Sequence, residues 1–182
     1  MQHRIDVSRP SPARIYDYLL GGKDNFAVDR ELAEKFLARW PALATTARVN
    51  RAWAVRVVRH LAGERGIDQF VDVGSGLPTA DNVHQVAQRI TPGARVMYVD
   101  NDPIVLAHSR ALLAENQGAD YVAADAQDAD TVLARADRFL DPSRPVAILM
   151  ASLLHYLPEP PEEVVAPTKN GRLRTVISPS RM

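Results

Sequence analysis

Two glycines and a nearby aspartate carry the first recognisable chemistry in this 182-residue sequence. Gly74 and Gly76 follow an apolar run, and Asp72 stands two positions before the first of them. Because glycine lacks a Cβ, a turn built on it lets a ligand approach the backbone, and a helix that follows offers free N–H groups. No lysine or arginine lies between Gly74 and Val83, which argues against a triphosphate-binding loop. A carboxylate beside such a turn favours a ligand with positive charge.

Two further aspartates end the next predicted strands. The carboxylate of Asp100 can accept two hydrogen bonds from the hydroxyls of a ribose, and Asp125 ends the following strand in the same way. Since parallel strands share a carboxyl edge, all three acids are predicted to lie along one edge. Structural alternatives remain open: a tight turn for the glycines, a backbone-bonding acid at Asp72, a helix cap at Asp100 and a solvated loop acid at Asp125. Asp102, which precedes a proline, is the better cap.

Short apolar strands alternate with helical segments in the middle of the chain. The predicted helices cover residues 81–90, a segment that begins after Asp102, and residues 128–140, and the predicted strands cover 69–73, 95–100, 120–125 and 145–152. This alternation predicts an α/β fold, with a parallel sheet flanked by helices. The nearly continuous apolar strands are typical of a sheet that is covered on both faces.

The two ends of the chain have a different character. Residues 1–65 are predicted to form a helical extension, with helices from Pro12 to the Gly21–Gly22 pair, over 29–40 and over 45–62. In the third helix a stripe with steps of four is predicted to face the core: Val49, Trp53, Val57 and Leu61. Residues 158–182 are rich in proline and read as an irregular tail, in which RLRTVIS has little support as one short strand.

Composition narrows the function classes. Lysine plus arginine and aspartate plus glutamate both number 22, so no basic excess indicates nucleic acid or an anionic membrane as a partner. The sequence has no cysteine, which excludes disulfides, thiol catalysis and cysteine-based zinc sites, and we expect no metal. No apolar run approaches the ~20 residues of a membrane span, and the N-terminus lacks the apolar core of a signal peptide. A cytoplasmic protein is expected.

Four motifs, in this order, resemble those of class I S-adenosylmethionine-dependent methyltransferases: VDVGSG, YVDNDP, VAADAQD and LLHYLP. The leader ARIYDYLLGGKDNFAVD and the later ARVNRAWAVR resemble a bacterial S-adenosyl methyltransferase family that has this helical leader and no well-defined substrate. The resemblance covers about residues 8–158, and the leader is its most specific part. It implies a Rossmann-like sheet, S-adenosyl-L-methionine as the cofactor, and an unknown methyl acceptor, which we expect to be a small molecule.

The resemblance implies roles at the methionine end of the cofactor. Four residues would flank the methionine part: Asp72, Gly74, Ser75 and Gly76. The charges are consistent with this placement, because the cofactor carries a sulfonium and an ammonium against one carboxylate. Two residues after the fourth strand would line the pocket below: Ser152 and Leu153.

The resemblance also implies roles at the nucleoside end. Asp100 would hold the ribose hydroxyls, and Asn101 would lie beside the adenine. Asp125 would accept a hydrogen bond from the adenine amino group. The backbone N–H of Ala126 would face the adenine ring.

The leader would then lie over the mouth of the cofactor site, and its lid candidates are Tyr16, Tyr18, Lys23, Asn25 and Phe26. The alternative is that the tyrosines pack the helix and GGKDN is an ordinary turn. If the acceptor must lose a proton, His155 is the best-placed candidate base, with a structural histidine as the alternative. His60, His84 and His108 are interpreted as surface residues.

The class I fold usually has seven strands, and this sequence supplies four clear ones. We therefore expect residues 66–157 to form an incomplete cofactor-binding domain, with the fourth strand as an exposed edge and with doubtful activity. Two other functions stay open: a non-catalytic cofactor-binding remnant or regulatory module, and an NAD-dependent oxidoreductase that uses GSGLPTA as an imperfect dinucleotide loop. Asp72 counts against the oxidoreductase, because dinucleotide-binding strands are usually apolar up to their first glycine.

Overall fold

A five-stranded parallel sheet lies at the centre of the structure, a computed structural model that describes residues 6–153 and the strand 173–177. The strands are β1 (Gln69–Val73), β2 (Arg95–Asp100), β3 (Ala119–Ala123), β4 (Val146–Met150) and β5 (Leu173–Ile177). Their order is β3-β2-β1-β4-β5, and every neighbouring pair is parallel. The chain leaves β1 toward β2 on one side and later returns to β4 on the other, so a crevice opens at the carboxyl ends of β1 and β4.

Helices cover both faces of this sheet, as the continuous apolar strands predict. Every residue of β1 and β4 is buried. Successive side chains of a strand point to opposite faces, so Phe70 joins the core under α3 and α4, whereas Val71 joins the core under α6. The flanking helices are α3 (Leu43–Glu64), α4 (Val83–Ile90), α5 (Pro103–Leu113) and α6 (Ala129–Phe139). The predicted α/β arrangement is confirmed.

The leader folds as a pair of helices, α1 (Pro12–Leu19) and α2 (Ala27–Arg39), that packs against α3. α1 begins at Pro12, where the missing N–H costs nothing, and it ends just before Gly21, whose φ of +82° suits the residue after a helix. Both were predicted as start and stop signals. No helix in the described part of the chain is long and apolar enough to cross a membrane.

Buried charged groups fix the geometry of this helix pair. The Nε atom of Arg14 lies 2.7 Å from Oδ2 of Asp29, and the two side chains are 2% and 0% exposed. Asp29 also accepts hydrogen bonds from the backbone N–H groups of Ser11 and Phe26. In the turn between the helices, Asp17 accepts hydrogen bonds from the N–H of Asp24 and the amide of Asn25. The GGKDN segment is therefore an ordered turn around a buried carboxylate.

The predicted core stripe of α3 is wrong at Val49, whereas Val57 and Leu61 are partly buried and pack against the core. Val49 is 59% exposed, and the buried residues of the helix are Ala47, Ala54, Val58 and Ala62. Small alanines let the helix lie close to its neighbours, and this buried stripe includes residues that a search for large apolar side chains passes over.

The C-terminal expectation also needs correction. The segment 158–182 was predicted to be irregular, but Leu173–Ile177 forms β5 and pairs with β4 along its whole length. β4 is therefore an interior strand rather than an exposed edge. The rest of the predicted tail lies outside the described residues.

Candidate functional site

The turn after β1 requires its glycines. Gly74 and Gly76 have φ values of +67° and +65°, in the left-handed region that other residues seldom adopt. The N–H groups of Gly74 and Ser75 both donate to the carbonyl of Val99, at 2.8 and 3.2 Å, which holds the turn against the end of β2. A Cβ on Gly74 would lie 2.7 Å from Cδ1 of Leu153, so the turn also contacts the residue predicted to line the pocket floor.

Asp100 joins the glycine turn to the start of α5. Its Oδ2 accepts the N–H of Gly76 at 2.8 Å, and its Oδ1 accepts the N–H of Asp102 at 3.0 Å. Asp102 itself caps α5 through the N–H of Ile104, which confirms it as the better cap. Burial raises the pKa of Asp100, and backbone hydrogen bonds from Asp102, Gly76 and Asn101 oppose this effect. Each carboxylate oxygen keeps a further acceptor position, which is what a pair of ribose hydroxyls requires.

Asn101 and Asp125 meet beyond the ends of β2 and β3. The amide of Asn101 donates to Oδ2 of Asp125 at 3.0 Å, and the N–H of Gln127 donates to Oδ1 at 2.9 Å. Asp125 lies two residues past β3 rather than at its end. Within the described residues the N–H of Ala126 donates to no partner, so it remains available to a ligand atom. These groups form a polar rim next to Asp100.

Asp72 is a buried carboxyl under the glycine turn, with no hydrogen bond to its side chain from the described residues. Burial raises its pKa to about 7, which the nearby Arg51 partly opposes and Asp100 reinforces. Such a group gains most from a cationic neighbour.

Arg51 of α3 is the site residue that the sequence reasoning missed. Its guanidinium donates to the carbonyls of Ala80 and Asp81, at 3.4 and 3.0 Å, and so spans from α3 to the loop after the glycine turn. The available signal was that Arg51 lies at helical spacing from the buried alanines Ala47 and Ala54. The stripe predicted for α3 did not include Arg51.

Two buried polar atoms at this point have no hydrogen-bond partner among the described residues: Nε of Arg51 and Oγ of Ser75. Together with Asp72, both residues line a cleft of about 310 Å³, its open mouth included, under the glycine turn. Buried polar groups are normally hydrogen-bonded, so atoms without a partner in a cleft indicate a missing ligand. An acid, an arginine and a hydroxyl suit an amino acid group, since they offer partners for an ammonium and a carboxylate.

Ser152 lies in the crevice at the carboxyl end of β4. Its φ of +57° is unusual for a residue with a Cβ, and such conformations cluster at functional sites. Tyr16 of the leader lies close by: burial raises its pKa, while Arg51 and Ser152 partly lower it. The Tyr16 hydroxyl is 3.1 Å from the carbonyl of Ala47. The leader and the end of β4 therefore meet across the crevice.

The leader also reaches the opposite side of the site. Ala13 packs against Leu77 and Ile104, and the Ser11 hydroxyl donates to Asp102, directly after the predicted nucleoside residues. The other lid candidates differ in position. Tyr18 bonds to Glu34 on the surface, Asn25 bonds to Asp17, Lys23 is 91% exposed, and Phe26 lies under the Arg14 guanidinium. Of the five candidates, Tyr16 is the one that these contacts bring to the crevice, and the lid role stays a prediction.

The interpretation of His84 as a surface residue is wrong. Its side chain is buried, and its Nδ1 lies 2.7 Å from the hydroxyl of Tyr98, which also accepts the backbone N–H of His84 at 2.9 Å. Burial lowers the pKa of His84. His60 and His108 are partly exposed, as expected, and His155 lies outside the described residues. Within those residues, no group of three or more acids and histidines is placed to hold a metal ion.

The buried Asp72 makes the stability of the ligand-free protein depend on pH. Its pKa rises from 3.8 to about 7 on folding, so between these values the folded state holds a proton that the unfolded state has lost. The free energy of unfolding therefore falls as pH rises through this window, by up to about 4 kcal/mol at 1.36 kcal/mol per unit. We expect Asp72→Asn to unfold at higher urea concentration than the wild type at pH 8 and to lose this advantage at pH 4.

The control for this experiment is Asp137→Asn, at an exposed position of α6. It should match the wild type at both pH values. An equal difference between Asp72→Asn and the wild type at pH 4 and pH 8 would contradict the assignment.

Comparisons with known proteins identify a family and two similar structures. A family model described as S-adenosyl methyltransferase matches residues 1–172. A crystal structure of a candidate methyltransferase from Thermobifida fusca YX is 48% identical, with a TM-score of 0.88 over 94% of this chain and 66% of that one. A DUF574 family protein from Streptomyces avermitilis MA-4680 is 40% identical, with a TM-score of 0.87 over 96% of this chain and 70% of that one. The chain thus spans about two thirds of the length of these structures, and no curated protein matches it.

Proposed function

Because the chain belongs to the S-adenosyl methyltransferase family, we propose that it binds S-adenosylmethionine and transfers its methyl group to an acceptor. The observation that carries the proposal is the buried Asp72 carboxyl under the glycine turn. A dinucleotide brings a pyrophosphate to this position, and a second negative charge beside Asp72 would be repelled. S-adenosylmethionine brings a sulfonium and an ammonium, which the carboxylate attracts.

At the methionine end, we assign the cofactor's amino acid group to the cleft that Asp72, Ser75 and Arg51 line. Asp72 would pair with the ammonium, and Nε of Arg51 and the hydroxyl of Ser75 would donate hydrogen bonds to the carboxylate, which would supply the partners that these two atoms lack among the described residues. Gly74 and Gly76 allow the backbone to approach the cofactor.

At the nucleoside end, Asp100 accepts hydrogen bonds from the ribose hydroxyls with the acceptor positions that its backbone bonds leave open. Asp125, held by Asn101, accepts from the adenine amino group, and the free N–H of Ala126 donates to the ring. Ser152 and Leu153 form the floor at the crevice. These residues would hold the cofactor along the carboxyl edge of the sheet, from β4 to β3.

When bound, the cofactor supplies an electrophilic methyl group on a sulfonium, which an acceptor attacks in line. In such a transfer the bond from the acceptor to carbon would form while the carbon–sulfur bond breaks, and the electron pair would stay on sulfur. The chain contributes by fixing the cofactor and by covering the site, since correct placement of reactants removes much of the entropic barrier. The leader contacts at Asp102 and near Ser152 close the site on both sides and limit the access of water.

Calorimetric titration of the folded chain tests this proposal. We expect S-adenosylhomocysteine and S-adenosylmethionine to bind, and NAD to bind at least about a hundredfold more weakly because its pyrophosphate meets Asp72. Release of radiolabelled methyl to a panel of acceptors then tests turnover. Saturable binding of NAD, with no binding of S-adenosylhomocysteine, would contradict the proposal and favour the oxidoreductase. Binding of S-adenosylmethionine without methyl transfer to any acceptor of the panel would favour a non-catalytic cofactor-binding module.

A further inference from the structure

The hydroxyl of Tyr16 joins the leader to α3. Its oxygen lies 3.1 Å from the carbonyl oxygen of Ala47 and 3.2 Å from Oδ1 of Asn50, so its one proton can serve either acceptor. In an α-helix the carbonyl of Ala47 also accepts the N–H of the residue four positions later, which is Arg51. Tyr16 is therefore bound to the turn of α3 that carries the arginine of the cofactor cleft.

The same hydroxyl reaches the end of β4. The Ser152 side chain forms a hydrogen bond with it, and this bond and the charge of Arg51 partly offset the rise that burial causes in the pKa of Tyr16. Leu153, the next residue, packs so closely on the glycine turn that a Cβ on Gly74 would lie 2.7 Å from its Cδ1. Tyr16 thus connects α3 with the strand end that supports the glycine turn.

The direction of the Arg51 side chain depends on this turn of α3. At its far end, the guanidinium donates to the carbonyls of Ala80 and Asp81, at 3.4 and 3.0 Å. Its Nε has no hydrogen-bond partner among the described residues, and it is the atom that we assign to the carboxylate of the cofactor. Because hydrogen bonds weaken steeply when their angle is poor, a shift of the turn would weaken this bond without removing any group that contacts the cofactor.

We propose that Tyr16 is a positioning residue of the cofactor site, whose hydroxyl holds Arg51 and Ser152 in the arrangement that binds the amino acid group of S-adenosylmethionine. This role rests on the proposed function and refines it, since it gives one residue of the leader a task at one end of the cofactor. A leader that only covers the site would act on the whole cofactor alike. Ring packing alone would need no hydroxyl, so phenylalanine separates the two roles.

Calorimetric titration of full-length Tyr16→Phe with two ligands tests this role. S-adenosylhomocysteine carries the amino acid group, whereas 5′-methylthioadenosine has the same nucleoside and sulfur without it. We expect Tyr16→Phe to bind S-adenosylhomocysteine roughly three- to tenfold more weakly than the wild type, as for the loss of one hydrogen bond, and to bind 5′-methylthioadenosine equally well. The unchanged ligand also shows that the variant is folded.

The matched control is Tyr18→Phe. Tyr18 lies on the same helix, and its hydroxyl bonds to Glu34 instead, so this variant should bind both ligands normally. A double variant gives a readout that does not need 5′-methylthioadenosine. If Tyr16 acts through Arg51, then Tyr16→Phe should cause little further loss of S-adenosylhomocysteine affinity in a protein that already carries Arg51→Gln.

Three results would overturn the role of Tyr16: normal S-adenosylhomocysteine binding by Tyr16→Phe, an equal loss of affinity for both ligands, or losses that add in full in the double variant. A wild type that binds neither ligand would refute the proposed function instead. A wild type that binds S-adenosylhomocysteine no more tightly than Tyr16→Phe does would leave the proposed function standing without this role.

Discussion

Replacement of Asp100 by asparagine should weaken S-adenosylhomocysteine binding by about 100-fold or more, because the ribose loses hydrogen bonds to a charged acceptor worth roughly 1.5–3 kcal/mol each. The geometry makes this substitution harsher than its small size suggests. Both carboxylate oxygens accept a backbone N–H, from Gly76 and Asp102, at 2.8 and 3.0 Å. An asparagine must turn its NH₂ group toward one of these donors, so the glycine turn or the start of α5 loses its anchor.

Asp128→Asn is the matched control for this experiment. Asp128 accepts the N–H of Thr131 at the start of α6, and asparagine serves as well as aspartate at that position. Calorimetry should find the control equal to the wild type, while urea unfolding separates the loss of affinity in Asp100→Asn from a loss of stability. Affinity of Asp100→Asn within about threefold of the wild type, which is below 0.7 kcal/mol, would remove Asp100 from the cofactor site.

Replacement of Arg14 by methionine should lower the free energy of unfolding by about 3–5 kcal/mol, because it leaves the fully buried Asp29 without its countercharge. This is a large share of the roughly 5–15 kcal/mol that stabilises a typical domain. Arg14 also donates to the backbone carbonyls of Asp6 and Arg9, so the start of the leader should loosen as well. Urea unfolding measures the first effect, and hydrogen exchange of the α1 amides measures the second.

Two variants make this prediction specific. Arg30→Met removes an arginine on the exposed side of α2 that bonds to Asn25, and it should change stability by less than about 0.5 kcal/mol. Arg14→Lys keeps the charge but cannot reproduce the planar set of hydrogen bonds, and an intermediate loss is expected. Equal stability of Arg14→Met and Arg30→Met would show that the buried pair does not hold the leader in place.

The sequence was sufficient where a local signal decides the structure. The turn at Gly74 and Gly76 needs positive φ values and has them, and Asp102 followed by a proline caps α5. Placement of Asp100 beside the turn followed from parallel strands sharing one edge. These features depend on neighbours in the chain or on the topology alone, so they can be predicted from a single sequence.

The errors arose where a partner distant in sequence decides the environment. His84 is a polar residue of a helix, and such residues usually face solvent. Its burial is explained by its contact with Tyr98 of β2, which the sequence does not reveal. Arg51 was passed over because a charged residue in a helix is usually solvated, whereas the loop at Ala80 and Asp81 draws it into the site. β5 was given little support because it is short and follows a proline-rich stretch, although its β-branched residues Thr175, Val176 and Ile177 favour a strand, and its partner β4 is distant in sequence.

The contacts of the leader also have a consequence for the order of events during synthesis. The pair of Arg14 and Asp29 is local, so α1 and α2 can associate soon after they leave the ribosome. The contact of Ser11 with Asp102 spans 91 positions, and the crevice near Ser152 is translated later still. Because a long loop must close before such contacts form, the leader docks after the sheet is in place. We therefore expect the nascent chain to pass through a stage in which the crevice is formed but the leader does not yet cover it.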